Sequence, residues 1–239
     1  ADTFEPLAPF FAGNPAVPEA WAAAVARAQE HPRPRTEISS LLVRQEQRRG
    51  APRAAVAAAE QLSDPRAVAV VTGQQAGLFG GPLFTLLKAL TAIRLAERLA
   101  RERQIPAVAV FWVDAEDHDW EEVRPCTVLD DDLQRRTIAL GTPEGAGERP
   151  VASIALDGSA SLAVDALADA LPRTEFTAPL VAGVRKAYAA GTGMAEAFAR
   201  WLDFVLGDHG LVVYDASDPA FKPLVADLFV RAFQPRHAM

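Results

Sequence analysis

Three short apolar runs punctuate the chain, at residues 67–71, 107–113 and 211–215. They consist almost wholly of Ala, Val, Leu, Phe, Trp and Tyr, with Asp215 closing the last. Runs of this length without alternation predict parallel strands covered on both faces. Between the first two, from Pro82 to Ile93, only Thr85, Lys88 and Thr91 are polar. At about 100° per residue, Leu83, Leu86, Leu87 and Leu90 share one helical face. Thr85, Lys88 and Thr91 form a row on the other side, flanked by Ala89, Ala92 and Ala96, so that row is partly covered too. Arg94, Glu97, Arg98 and Arg101 then face water, and Gln104-Ile-Pro106 breaks the helix. Strand, crossover helix, strand is a right-handed parallel unit. The loops after both strands therefore open on one edge of the sheet. The loop after residue 215 joins them if its strand runs parallel.

The pattern elsewhere is helical or irregular. Residues 4–18 carry prolines and three Phe and read as an irregular segment packing across the core. Pro18 opens a first helix and His31-Pro-Arg-Pro-Arg stops it. A second runs towards Gly50 with Thr36 or Ser39 as cap. A third, alanine-rich, spans 51–62 and ends at Asp64-Pro65. His31, between a helix end and two prolines, reads as a solvated turn residue. Residues 123–207 interrupt the α/β alternation. Segments 135–140 and 151–156 alternate apolar and polar and predict a hairpin joined by the turn-rich loop 141–150. Helices follow at 159–171, 177–190 and 194–206, with Gly191-Thr-Gly193 between the last two. This block reads as an insertion that covers or closes a site. His209 beside Gly210 reads as a surface helix stop. The expected division is a helical segment at 1–66, an α/β core at 67–122 and 208–239, and the insertion at 123–207. Residues 234–239 show no closing element.

Composition narrows the class. The 239 residues carry 24 basic and 31 acidic side chains, a net charge of −7, which argues against a nucleic-acid surface. No apolar run approaches the ~20 residues of a membrane span, and no signal peptide is evident at Ala1. Cys126 is the only cysteine. A cytoplasmic setting is the expectation. Cys126 reads as a small buried residue rather than a nucleophile, since no activating base is evident beside it.

The chemistry concentrates in the loops after the strands. Gly73, Gly77, Gly80 and Gly81 crowd the first one, where glycine permits unusual backbone angles and close approach of a ligand. Pro82 suits the first helical position. The start of the helix favours an anion. A partly covered lysine at 88 is costly unless an anion meets it. One reading places a substrate carboxylate or phosphate there; the plain ones are an internal ion pair or a lysine that snorkels to water. The loop is not a P-loop, because no Gly-Lys-Ser/Thr follows. Its glycines are not spaced for a dinucleotide either, which argues against NAD.

The second loop, Asp114-Ala-Glu-Asp-His-Asp-Trp-Glu-Glu122, places six acids and one histidine within nine residues. Three readings coexist. Asp117 or Asp119 caps a helix. Glu116, Asp117, His118 and Asp119 hold a metal such as Zn²⁺ or Mn²⁺, although no second His lies at i, i+4 and no CxxC exists. Or His118 and a neighbouring Asp hold substrate or transfer a proton. In the third loop, Asp215 either contacts a ribose hydroxyl or an amine, or Ser217 or Asp218 merely caps the next helix.

Thr72-Gly-Gln-Gln-Ala-Gly-Leu-Phe-Gly-Gly-Pro-Leu-Phe-Thr-Leu-Leu-Lys-Ala-Leu-Thr-Ala92 and Val110-Phe-Trp-Val-Asp-Ala-Glu-Asp-His-Asp-Trp-Glu-Glu-Val123 closely resemble the cysteine ligases of bacillithiol biosynthesis. Gly210-Leu-Val-Val-Tyr-Asp-Ala-Ser-Asp-Pro219 and the Pro150-Val-Ala-Ser-Ile segment resemble them too. The likeness covers nearly the whole chain, with Phe84 where Tyr is usual and Ala152 where Gly is usual. The family's proteins are about twice as long, and their C-terminal coiled-coil half, used for homodimerisation, has no counterpart here. The resemblance implies a Rossmann-like parallel-sheet core related to the nucleotidyltransferase superfamily, with an inserted α+β connecting region. It implies addition of L-cysteine to glucosaminyl-malate with nucleotide-dependent activation, ATP being the expected nucleotide. Lys88, His118 and Asp117 become the candidate catalytic groups. Thr72, Gly73, Gln74, Gln75, Gly77, Gly80, Gly81, Thr85, Trp112, Glu116, Asp119 and Asp215 become candidate binding residues. A metal-dependent hydrolase on the acidic loop and a non-catalytic small-molecule-binding fragment are the rival classes.

Overall fold

A computed structural model describes residues 3–233; the stretch 234–239 lies outside the described residues. Residues Glu5–Phe10 form a 3-10 turn with no buried side chain, so this segment lies on the surface rather than across the core. Helix α1 (Pro18–Glu30) begins at its proline. Helix α2 (Arg35–Arg49) starts behind Pro34, and neither Thr36 nor Ser39 caps it. Ser39 is instead buried and donates to the Ala59 carbonyl of α3 (Arg53–Gln61) at 2.8 Å. Gly50 closes α2 in the left-handed region, φ 72°.

Strand β1 (Val68–Gln75), helix α4 (Leu83–Arg103) and strand β2 (Ala107–Asp114) form the expected parallel unit, in register from Val68 opposite Ala107 to Gln75 opposite Asp114. The chain continues through α5 (Trp120–Val123), β3 (Pro125–Leu129), β4 (Arg135–Ala139), α6 (Ser159–Ala170), α7 (Thr177–Ala187) and α8 (Met194–Leu206). Strand β5 (Val212–Asp215) then lies parallel on the far side of β2, giving the order β1-β2-β5, and α9 (Lys222–Phe233) follows.

The hairpin differs from the expected one. Residues 135–139 pair with 125–129 upstream, and Val151–Ser153 is a 3-10 turn. The Asp130 carboxylate accepts the amides of Asp132 and Gln134, and Leu133 takes φ 58°, so residues 130–134 make the tight turn.

Two faces of the sheet are covered unequally. Helices α2 and α3 bring Leu41, Leu42, Ala59 and Leu62 onto Val108, Val110 and Val212. Helices α4 and α8 enclose Phe111, Val113, Leu211 and Val213 on the other face. Strand β1 is at the edge, and Val71 is 58% exposed, so the expectation of a strand covered on both faces fails there. Helix α4 also turns the unexpected way. Ala89, Ala92 and Ala96, with Thr85, Ile93 and Leu99, are its buried residues, while Leu83, Leu87 and Leu90 face outward. Small side chains let the helix axis come close to the sheet, which a leucine stripe would hold off.

A buried ionic cluster fixes β5. Arg49 donates to Asp203 of α8 at 2.7 Å and to the Val213 carbonyl at 2.8 Å, and lies 2.9 Å from Glu46. Glu46 accepts the Val213 amide at 2.7 Å. Burial pushes the Glu46 carboxyl up to about 8, against the pull of Arg49, and raises that of Asp203 as well.

Candidate functional site

The ends of β1 and β2 lie side by side because Gly73 sits against Trp112. A Cβ at Gly73 would fall 2.7 Å from the Trp112 carbonyl oxygen. Beyond it, Gln74 and Gln75 point to opposite faces, as successive strand residues do. Gln74 Oε1 accepts from Lys88 Nζ at 3.0 Å. Gln75 Nε2 donates to Glu122 Oε2 at 2.8 Å and lies 3.4 Å from Asp117 Oδ2. Two adjacent glutamines thus link the lysine of α4 to the acidic turn after β2. Lys88 itself reaches Gln74 and stands 5.2 Å over the Phe84 ring. Its hydrogen-bond partner is a neutral amide, not the carboxylate of the ion-pair reading.

The glycine turn is held from within. Ala76 donates to the Asp114 carbonyl at 3.0 Å, Gly77 to Gln75 at 2.8 Å and Gly81 to Leu78 at 3.0 Å. The Gly80 amide donates to the Tyr188 hydroxyl at 3.0 Å, and that hydroxyl donates to the Gly77 carbonyl at 2.9 Å. Three consecutive residues, Phe79, Gly80 and Gly81, have positive φ of 54°, 94° and 70°. For Phe79 this conformation costs about 1–2 kcal/mol. The amides of Gly77, Gly80 and Gly81 therefore face protein partners. The free amides nearest this turn are therefore those at the start of α4. Pro82 is the N-cap there, extended rather than helical, and no side chain caps the helix. The first amides of a helix lack intrahelical partners. Beside them, Thr85 Oγ1 is fully buried with no hydrogen-bond partner among the described residues. It lies 3.5 Å from the position a Gly81 Cβ would take. An orphaned buried hydroxyl is unusual in a native fold.

The acidic turn divides its labour. Asp119 caps α5 by accepting the Glu122 amide at 3.0 Å, so capping holds for this residue. Asp117 accepts the His118 amide at 2.6 Å, a bond that holds its carboxyl below the usual range. The His118 ring is well exposed, with Nδ1 3.4 Å from Asp117. Glu116 pairs with Lys222, which also donates to the Ala216 carbonyl at 3.1 Å. Lys222 was not singled out in the sequence. Its one signal is scarcity, since the chain has only three lysines and two stand at this rim.

Trp112 is half-exposed and meets Tyr214 edge-on at 4.9 Å; Tyr214 meets Phe221 at 4.5 Å. Thr72 lies in β1 opposite Phe111. Asp215 accepts from the Ser217 amide at 2.9 Å and hydroxyl at 2.6 Å, and Gln45 brackets its backbone. Asp218 caps the following turn through the Ala220 amide. Cys126 is half-buried, and burial pushes its thiol up. Among the described residues, no three His, Cys, Asp or Glu side chains come together to hold a metal ion. No described helix is long and apolar enough to cross a membrane.

The model of the family described as "Bacillithiol biosynthesis BshC, N-terminal Rossmann-like domain" matches residues 1–239. The chain belongs to the BshC family. A Salinibacter ruber protein named "Putative cysteine ligase BshC" is 36% identical over 237 residues, covering 98% of this chain and 43% of its own length. A Symbiobacterium thermophilum protein of the same name is 36% identical over 211 residues, 84% of this chain and 38% of its own. Another, from Solibacter usitatus, is 38% identical over 169 residues, 71% and 31% respectively. The chain therefore spans less than half the length of these BshC relatives. The parallel three-stranded sheet accords with the Rossmann-like description.

Proposed function

We propose that this chain is the ligand-binding N-terminal part of a BshC cysteine ligase that joins L-cysteine to glucosaminyl-malate, with ATP as activating co-substrate. The observation that carries the reading is the shared rim. The turns after β1 and β2 stand on adjacent strands, with a cation and a helix start on one flank and a carboxylate–imidazole group on the other.

Amide formation needs an activated carboxylate and an amine that has lost its proton. The cationic flank suits the first. The start of α4, the unbonded Thr85 hydroxyl and Lys88 fit carboxylate or phosphate oxygens. ATP, when bound, supplies the leaving group that takes up the carboxylate oxygen. The acidic flank suits the second. Glu116, Asp117 and Asp119 would attract the ammonium or sugar hydroxyls, and His118 would accept the amine proton, oriented by Asp117. Gln74 and Gln75 hold the two flanks in register. Thr72, Gly73, Gly77, Gly80 and Gly81 set the backbone path, Trp112 offers a flat apolar wall, and Asp215 shapes the third turn. The length that the relatives carry beyond this match is the place for the dimerising coiled coil.

Calorimetry with ATP, L-cysteine and glucosaminyl-malate tests the reading, on wild type, Lys88→Ala and His118→Ala. At least one anionic ligand is expected to lose about tenfold in affinity in Lys88→Ala, the loss of one charge-assisted hydrogen bond. Unchanged affinity for all three removes Lys88 from the site. Failure of wild type to bind any of them overturns the assignment.

A further inference from the structure

We propose that Tyr188, contributed by the insertion, is a positioning residue that sets the glycine turn, and with it the start of α4, in the form that receives the ligand. The proposal rests on the reading of that helix start as an anion site. Tyr188 follows the last turn of α7 and is 1% exposed. It is separated from Gly77 by 111 residues and is bonded to the turn at both ends, as donor to Gly77 and acceptor from Gly80. Burial raises its hydroxyl far above the ordinary range, so it stays protonated and keeps both roles. Its ring meets Phe79 edge-on at 5.3 Å. Trp201 of α8 closes the other side, since a Cβ on Gly80 would lie 2.6 Å from the indole nitrogen.

The backbone between these supports runs through three positive-φ residues and delivers the chain to Pro82. No local sequence preference holds Phe79 there; a left-handed conformation persists in a bulky residue only when its surroundings impose it. Tyr188 and Trp201 are those surroundings. The insertion thus acts on the site from beneath, as the mould of the turn.

The test compares Tyr188→Phe with wild type, a change that removes one oxygen and keeps the ring. Hydrogen exchange is measured at residues 77–85 and, as reference, in β1 and β2. Binding of ATP, L-cysteine and inorganic phosphate is measured by calorimetry in parallel. The expected result is exchange at least tenfold faster at 77–85 with the strands unchanged, and a matching loss of affinity for whichever probe wild type binds. Acceleration spread equally over the strands, or a loosened turn with unaltered affinity, overturns the proposal. If wild type binds none of the probes, the anion-site reading fails, and the exchange arm alone decides whether Tyr188 sets the turn. Should Tyr188→Phe not fold, Trp201→Phe relaxes the opposite wall and is read by the same two measurements.

Discussion

Lys88 Nζ donates to Gln74 Oε1 at 3.0 Å, across the junction of α4 and the end of β1. Among the described residues this half-buried ammonium meets a neutral amide and the Phe84 ring, and an anion would bind it better than either. Replacing Lys88 by Met is therefore expected to leave the unliganded chain about as stable as wild type, within about 0.5 kcal/mol. The same change should lower anion affinity about tenfold. Urea denaturation beside calorimetry checks the pair; a large stability loss would mark Lys88 as structural.

Thr85 carries the opposite trade. Its buried hydroxyl has no partner among the described residues. Thr85→Val keeps the shape and removes the desolvated oxygen, so the free protein should gain about 1 kcal/mol. Ligand binding at the helix start should weaken. Thermal unfolding with and without ATP measures both effects, and a destabilised free Thr85→Val protein would contradict the role given to the hydroxyl.

The Glu46–Arg49–Asp203 cluster predicts a pH dependence with a definite sign. The Glu46 carboxyl rises from about 4.5 unfolded to about 8 folded. A group raised on folding contributes stability that is fully present below its unfolded value and lost as pH climbs through its folded one. Stability from this residue should thus decline between about pH 4.5 and about pH 8. Glu46→Gln keeps an acceptor for the Val213 amide and should flatten that slope. Denaturation midpoints of both proteins at pH 5, 6.5 and 8 give the comparison.

Removing the cation is different from removing the proton. Arg49→Met leaves the Asp203 carboxylate and the Glu46 carboxyl buried without their cation and should cost about 3–5 kcal/mol at neutral pH. The loss should shrink in acid, where both can be protonated. A loss independent of pH would assign it to packing alone.

Gly73→Ala places a methyl carbon against a backbone carbonyl that cannot rotate away. A penalty of about 1–3 kcal/mol is expected from the forced separation of β1 and β2. Chemical denaturation measures it, and a neutral effect would mean that the strands part easily.

The architecture was legible where periodicity and chemistry agreed. The apolar runs gave the parallel strands, and prolines and glycines gave the helix limits to within a few residues. Helix α4 was harder. Its leucines share a face and its alanines share another, and hydrophobicity alone favours burying the leucines. The sheet selected the alanines because a close approach buries more backbone-near surface than a wide one. The hairpin was misplaced for a related reason. Alternation identifies a strand but not its partner, and the Asp130 turn that chose the partner looks like an ordinary acidic run. At the rim, the sequence located both loops. It did not foresee Tyr188 or Lys222, because each is a residue far along the chain that meets a turn.

The bond from Tyr188 to Gly77 has a temporal side. The parallel unit of β1, α4 and β2 is built from near neighbours, whereas its glycine turn waits for a tyrosine synthesised 111 residues later. Loop closure over such a span is slow relative to local pairing. A nascent chain released before residue 188 would lack the hydroxyl that bridges Gly77 and Gly80. Shaping of the turn should therefore come late in folding, and amide protection at residues 77–81 should appear after strand protection when the denatured chain is refolded.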